Sequence, residues 1–250
     1  MLKLSGRNRR RINKIIRPFV LRKKRSRYKE ILVLGDSHVN VFFEKIFREE
    51  FPDLFFNTRR VGGATLSGLR NPNSRTRALP IFKKELKTTT AKTVIVLMGE
   101  VDMGFVIWYR AEKHKSSIEN MYNQAVENYK NFLFDIAKSK NTICISTPLP
   151  TIQDGNDWGD IAKLRKEVTA TQKERTDLTL RFNKRIQKIC EEIGIQFISL
   201  DEESLGRNGL VNPYLLSPDS NDHHYDKEKY ALMIINKIKP ILVKNTEIGA

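Results

Sequence analysis

Ser37 has the setting that a nucleophile needs. It closes the run Ile31-Leu-Val-Leu-Gly-Asp-Ser37 and is followed by His38, then by apolar positions Val39, Phe42, Phe43, Ile46 and Phe47, the pattern of a strand turning through glycine into a helix. A serine at the first turn of a helix sits among free backbone N–H groups at the positive dipole end, where an oxyanion can be held, and its hydroxyl becomes nucleophilic once a base lies within hydrogen-bond reach. The same Gly-Asp-Ser also suits a plain helix N-cap. Candidate partners are the late pair His223 and His224, with Asp222 before them. Asp36, His38, Glu100, Asp102, His223 and His224 also compose a set of carboxylates and imidazoles that could ligate a divalent ion, but no His-x-x-x-His or Cys-x-x-Cys spacing backs that reading. Trp108-Tyr109-Arg110 sets an aromatic pair beside a cation, which suits a sugar ring or an anionic glycan as well as ordinary core packing.

These residues need a scaffold to bring them together. From Glu30 onward, apolar runs at Ile31 to Leu34, Leu54 to Arg60, Thr93 to Met98, Asn141 to Ser146 and Ile195 to Leu200 alternate with stretches of helical period. Ile118, Met121, Tyr122, Ala125, Tyr129, Phe132, Leu133 and Ile136 mark one amphipathic helix, Leu178 to Ile193 a second, and Asp226 to Lys239 a third that Pro240 is expected to close. The pattern predicts a five-stranded parallel sheet with helices on both faces. In such sheets ligands bind beyond the carboxyl ends of the strands, which is where Gly35-Asp36-Ser37-His38, Val61-Gly62-Gly63-Ala64-Thr65, Gly99-Glu100-Val101-Asp102 and the late His pair fall.

In their order these blocks resemble the SGNH, or GDSL-like, hydrolase family, over most of Glu30 to Lys239, which implies an α/β three-layer αβα sandwich around a flavodoxin-like parallel five-stranded sheet. The resemblance implies Ser37 as nucleophile, Gly63 as a backbone oxyanion donor beside the Ser37 amide, and a late histidine, by preference His224 with His223 as the alternative, as base. Two blocks depart from the family pattern. Its oxyanion asparagine is replaced by Val101, and its Asp-x-x-His places Asn221, not a carboxylate, before His224, leaving Asp222 to assist only if the loop bends differently. The sequence resembles a GDSH/GEVD variant branch of the family, one associated with surface-polysaccharide gene clusters. It implies a serine-dependent ester hydrolase or acyltransferase on an acylated carbohydrate or small ester, with His38, Glu100 and Trp108 as substrate contacts and no metal or organic cofactor. The departures at Val101 and Asn221 leave open a catalytically impaired domain that binds a glycan or protein.

Charge divides the chain. The net charge of +16 is concentrated in Met1 to Lys29, which holds thirteen Lys and Arg and no acidic residue; residues 30–250 carry 32 basic against 29 acidic side chains. We therefore read a basic arm, 1–29, ahead of one hydrolase-like domain, 30–250. Ile12, Ile15, Ile16, Phe19, Val20 and Leu21 are interleaved with the arm's cations in a segment expected to break at Pro18, a composition that favours an anionic membrane surface over nucleic acid. No run of eighteen apolar residues and no uncharged apolar leader stands in the sequence, and Cys144 and Cys190 fall in apolar periodic segments, so the expected location is cytoplasmic, peripheral to a membrane. Oligomeric state has no signature here.

Overall fold

Short runs rich in Val, Ile and Leu form strands because branched side chains pack well on a pleated surface buried on both faces. The computed structural model describes residues 6–155, 168–219 and 222–247, with side chains from 16 to 243 within those limits. Strands β1 (Lys29–Gly35), β2 (Leu54–Arg60), β3 (Thr93–Leu97), β4 (Asn141–Ile145) and β5 (Gln196–Ile198) form one sheet of order β2-β1-β3-β4-β5. Every pairing is parallel.

Helices cover both faces: α1 (Gly6–Arg25), α2 (Lys45–Glu50), α3 (Ala78–Thr88), α4 (Ile107–Lys113), α5 (Ile118–Ala137), α6 (Gln172–Glu192), α7 (Asp201–Ser204) and α8 (Lys227–Glu247). Alternate strand residues serve opposite layers, as the two-residue period demands. Leu32, Leu34, Val94 and Val96 pack with Phe82 of α3, Tyr129 of α5 and Phe182 of α6. Ile31, Val33, Ile95 and Leu97 pack with Phe47 of α2 and with Ile234 and Ile238 of α8. This is the expected three-layer sandwich and flavodoxin-like order.

Strand order reverses between β1 and β3, so loops leaving these two strands diverge and open a crevice. Two glycines shape its floor. A Cβ on Gly35 would stand 2.0 Å from the Leu97 carbonyl oxygen, so only glycine lets β1 turn this close to β3. Gly99 has φ +125°, a conformation that side chains resist, and a Cβ there would meet Thr147 Oγ1 at 2.5 Å.

Several boundaries differ from the sequence reading. The segment after Asp36 is a tight 3-10 helix, Ser37–Phe43, separated from α2 by an extended Glu44. Pro240 does not close α8, which continues to Glu247 with Leu242 buried against the core. Pro18 likewise lies inside α1. A proline forfeits one helical hydrogen bond, but neighbouring turns held by outside contacts let the helix continue; here Arg17 reaches Glu85 and Asn57 while Arg25 reaches Glu30. Lys29 belongs to β1, its N–H donating to the Asp53 carbonyl at 2.9 Å, so the end of the basic segment is built into the sheet.

Candidate active site

Asp36 starts the site. It caps the 3-10 helix, accepting the His38 N–H at 2.9 Å, and the same Oδ1 lies 3.1 Å from His38 Nδ1. Ser37 takes the first helical position, where its N–H has no intrahelical acceptor, and its side chain is half-buried at the carboxyl edge of β1.

The late loop repeats this device from the opposite side. Asp222 Oδ1 accepts the His224 N–H at 3.0 Å and lies 2.5 Å from His224 Nδ1, while His224 Nε2 lies 2.8 Å from Ser37 Oγ. A carboxylate two residues before a histidine thus reaches both its backbone and its ring by folding back in an Asx-type turn. The three-residue spacing is not needed for that contact. Asn221, whose place in the family pattern raised the doubt, lies outside the described residues.

Electrostatics fix the direction of these bonds. Burial pushes the Asp222 carboxyl upward, but the hydrogen bonds from the His224 ring and N–H, with the charges of His224 and His223, outweigh it and hold the group below its ordinary value. An ionised Asp222 only accepts, so His224 Nδ1 carries the proton and Nε2 presents its lone pair to the Ser37 hydroxyl. Burial, with the neighbouring His38, also pulls His224 below its ordinary value, against the opposing pull of Asp222 and Glu100. A neutral imidazole receiving a serine O–H is able to take that proton.

Flanking elements hold the loop. Thr151, after β4, donates its hydroxyl to the His223 carbonyl at 2.6 Å, and the buried Tyr225 hydroxyl accepts the Leu149 N–H at 2.8 Å. Gly63 lies on the exposed turn after β2, next to the Val61 N–H that bonds the Gly35 carbonyl at 2.9 Å. That turn is stapled in place by Asp102, which is fully buried and accepts from the Leu66 N–H at 2.6 Å and from the N–H and hydroxyl of Ser67. Desolvation pushes its carboxyl up to about 6 despite those donors.

The remaining candidates separate. His38 is buried with its ring centroid 4.7 Å from that of His224, behind the Ser37 contact. Glu100 is buried at the start of the helical segment after β3, close enough to influence His224. His223 stacks beside His224 at 4.2 Å between ring centroids, and it is His224 that meets Ser37. Trp108 is half-buried: it packs against the core on one side and donates its indole N–H to the Met103 carbonyl at 2.7 Å, across the segment Asp102–Val106, which winds as a π-helix. Val101 supplies no side-chain donor. Among the described residues, Asp222, His223 and His224 also bring ligand atoms within 4.8 Å of one another. An ion held there would compete with the hydrogen bond between Asp222 and His224. Sequence reasoning passed over Asp36, Thr151 and Tyr225 as bracing groups, since nothing in their spacing marks them.

No protein-family model matches the sequence, and no curated protein does. Solved structures do match in fold. A GDSL-like lipase from Bacteroides thetaiotaomicron aligns at TM-score 0.53 and 13% identity over 90% of each chain. An acetyl xylan esterase aligns at TM-score 0.51 and 12% identity, over 85% of this chain and 98% of the other. A gut microbial diltiazem-metabolizing enzyme aligns at TM-score 0.54 and 14% identity over 84% of this chain, which spans only 46% of that protein's length. The chain therefore has the SGNH, GDSL-like fold that its sequence blocks implied.

Proposed function

We propose that this protein is a serine-dependent ester hydrolase or acyltransferase whose substrate is an acylated carbohydrate or another small ester. The observation that carries the reading is the continuous chain from Ser37 Oγ through His224 to Asp222. Ser37 Oγ attacks the acyl carbonyl as its proton passes to His224 Nε2. Collapse of the tetrahedral intermediate breaks the ester bond, and His224 returns the proton to the leaving alcohol. Water or a second hydroxyl then repeats the steps in reverse on the acyl-serine. The oxyanion falls to the Ser37 and Gly63 N–H groups, with Asp102 holding the turn that presents Gly63.

Fold likeness to a lipase and an acetyl xylan esterase supports the ester chemistry, and the second supports a carbohydrate acceptor. The activity is assigned to residues 30–250, with 1–29 as an accessory segment. A cytoplasmic setting accords with Cys144 and Cys190 lying buried as free thiols. Val101 favours one other reading, a catalytically impaired domain that binds glycan or protein, because loss of an oxyanion donor costs roughly 10² to 10³ in rate.

Turnover of p-nitrophenyl acetate and of a panel of acetylated sugars tests the choice. Wild type is expected to turn over at least one of them, and Ser37→Ala to lose at least roughly 10³-fold with its thermal midpoint unchanged. Activity retained in Ser37→Ala overturns the serine mechanism, and an inactive wild type across the panel leaves the binding reading in its place.

A further inference from the structure

The basic segment is not a loose arm. In α1, Arg17 donates to Glu85 at 2.5 Å and to Asn57 at 2.9 Å, Arg25 forms a two-pronged pair with Glu30 at 2.9 Å on each prong, and Lys24 Nζ stands 5.6 Å over the Phe55 ring. Glu30 is almost wholly buried and also accepts from Asn57 and Thr90, so this is an interior anchor rather than a surface pair. Arg17, Lys24 and Arg25 recur at helical spacing and form the docked face. The opposite face carries Ile16, Phe19 and Val20, spaced i, i+3, i+4, and these are 48%, 72% and 44% exposed. Arg22 and Lys23 stand exposed on the following turn. A helix fixed to the body on one side thus presents an uncovered apolar stripe framed by cations on the other.

We propose that this face of α1 seats the domain on an anionic lipid surface, with Ile16, Phe19 and Val20 entering the interface and the basic residues meeting the headgroups. Charge selects the occupant. Residues 1–29 hold thirteen cations and no anion, so a second copy would bring two like-charged segments face to face. Nucleic acid would satisfy the cations and leave the apolar stripe in water; an anionic bilayer satisfies both. Among the described residues no helix is long and apolar enough to cross a membrane, so the contact lies in the plane of the surface. Arg25 grips Glu30 at the amino end of β1, while Arg17 reaches Asn57 midway along β2 and Glu85 of α3, so α1 is fixed at more than one level of the sheet. The proposal concerns the outer face of α1 and stands apart from the esterase reading.

The test uses the full chain and two vesicle preparations, phosphatidylcholine alone and phosphatidylcholine with roughly one-third phosphatidylglycerol. Co-sedimentation is expected only with the anionic vesicles and is expected to weaken as salt rises. The triple variant I16E/F19E/V20E is expected to lose at least roughly tenfold in vesicle affinity, and Arg22→Glu with Lys23→Glu to weaken it as well. Both keep the thermal midpoint, since the altered side chains are exposed, and both keep turnover of a soluble ester if the chain has any. Equal sedimentation with neutral vesicles, unchanged binding by the triple variant, a dimer in light scattering that the triple variant dissolves, or tighter binding to RNA than to the anionic vesicles at physiological salt would each overturn it.

Discussion

His224 Nε2 lies 2.8 Å from Ser37 Oγ across 187 residues of sequence, and the other nitrogen of the same ring lies 2.5 Å from Asp222 Oδ1. The sheet brings the ends together, since Ser37 follows the interior strand β1 and the late loop is tied down by residues after β4.

Because only one of the two late imidazoles meets the serine, His224→Ala is expected to lower kcat/KM by at least about 10²-fold, while His223→Ala changes it by less than about tenfold. Asp222→Asn keeps the shape of the turn but removes the charge that fixes the ring's proton on Nδ1, and an intermediate loss is expected. Steady-state rates on one ester decide. A dominant loss at His223 would mean that the loop works in another register.

The pH profile carries its own sign. Burial and the nearby His38 pull His224 below 6.5, and the neutral ring is the working form. The acid limb of kcat/KM is therefore expected below pH 6.5. His38→Asn removes the neighbouring imidazole that opposes a charge on His224 and should move that limb upward. The same shift makes the unfolded chain the tighter proton binder, so His224 contributes stability that is present above pH 6.5 and lost as pH falls through the folded value. A limb above 6.5, or one that moves downward in His38→Asn, would contradict this electrostatic picture.

Asp102 is a positioning residue. Asp102→Ala leaves the buried Leu66 N–H without its acceptor, at about 1–3 kcal/mol, and also removes the acceptor of the half-buried Ser67 N–H. A fall in thermal midpoint together with a loss of activity is expected, because the turn carrying Gly63 is released. Loss of activity with unchanged stability would instead place Asp102 in the chemistry.

Much of this was legible beforehand. Leu54–Arg60 is the strand the sequence marked, and the parallel sheet followed from strands alternating with helices, with its order matching what the family resemblance implied. The hidden parts are those where tertiary contact outweighs local preference. Pro18 and Pro240 read as helix ends, yet the helices run on because Arg17 and Arg25 are anchored outside α1 and Leu242 is buried beyond Pro240. Asp222 failed a spacing pattern, yet one turn of backbone brings its carboxylate onto His224. The π-helical turn Asp102–Val106, whose Met103 carbonyl accepts from the Trp108 indole, leaves no mark in a linear pattern.

Covalent labelling with a fluorophosphonate, read by mass spectrometry of the digested chain, tests most directly the claim that Ser37 is activated by His224. Wild type is expected to take up one label on the peptide carrying Ser37, His224→Ala to react far more slowly, and Ser37→Ala to remain unlabelled. An unlabelled wild type, or a label that survives in Ser37→Ala, would contradict it.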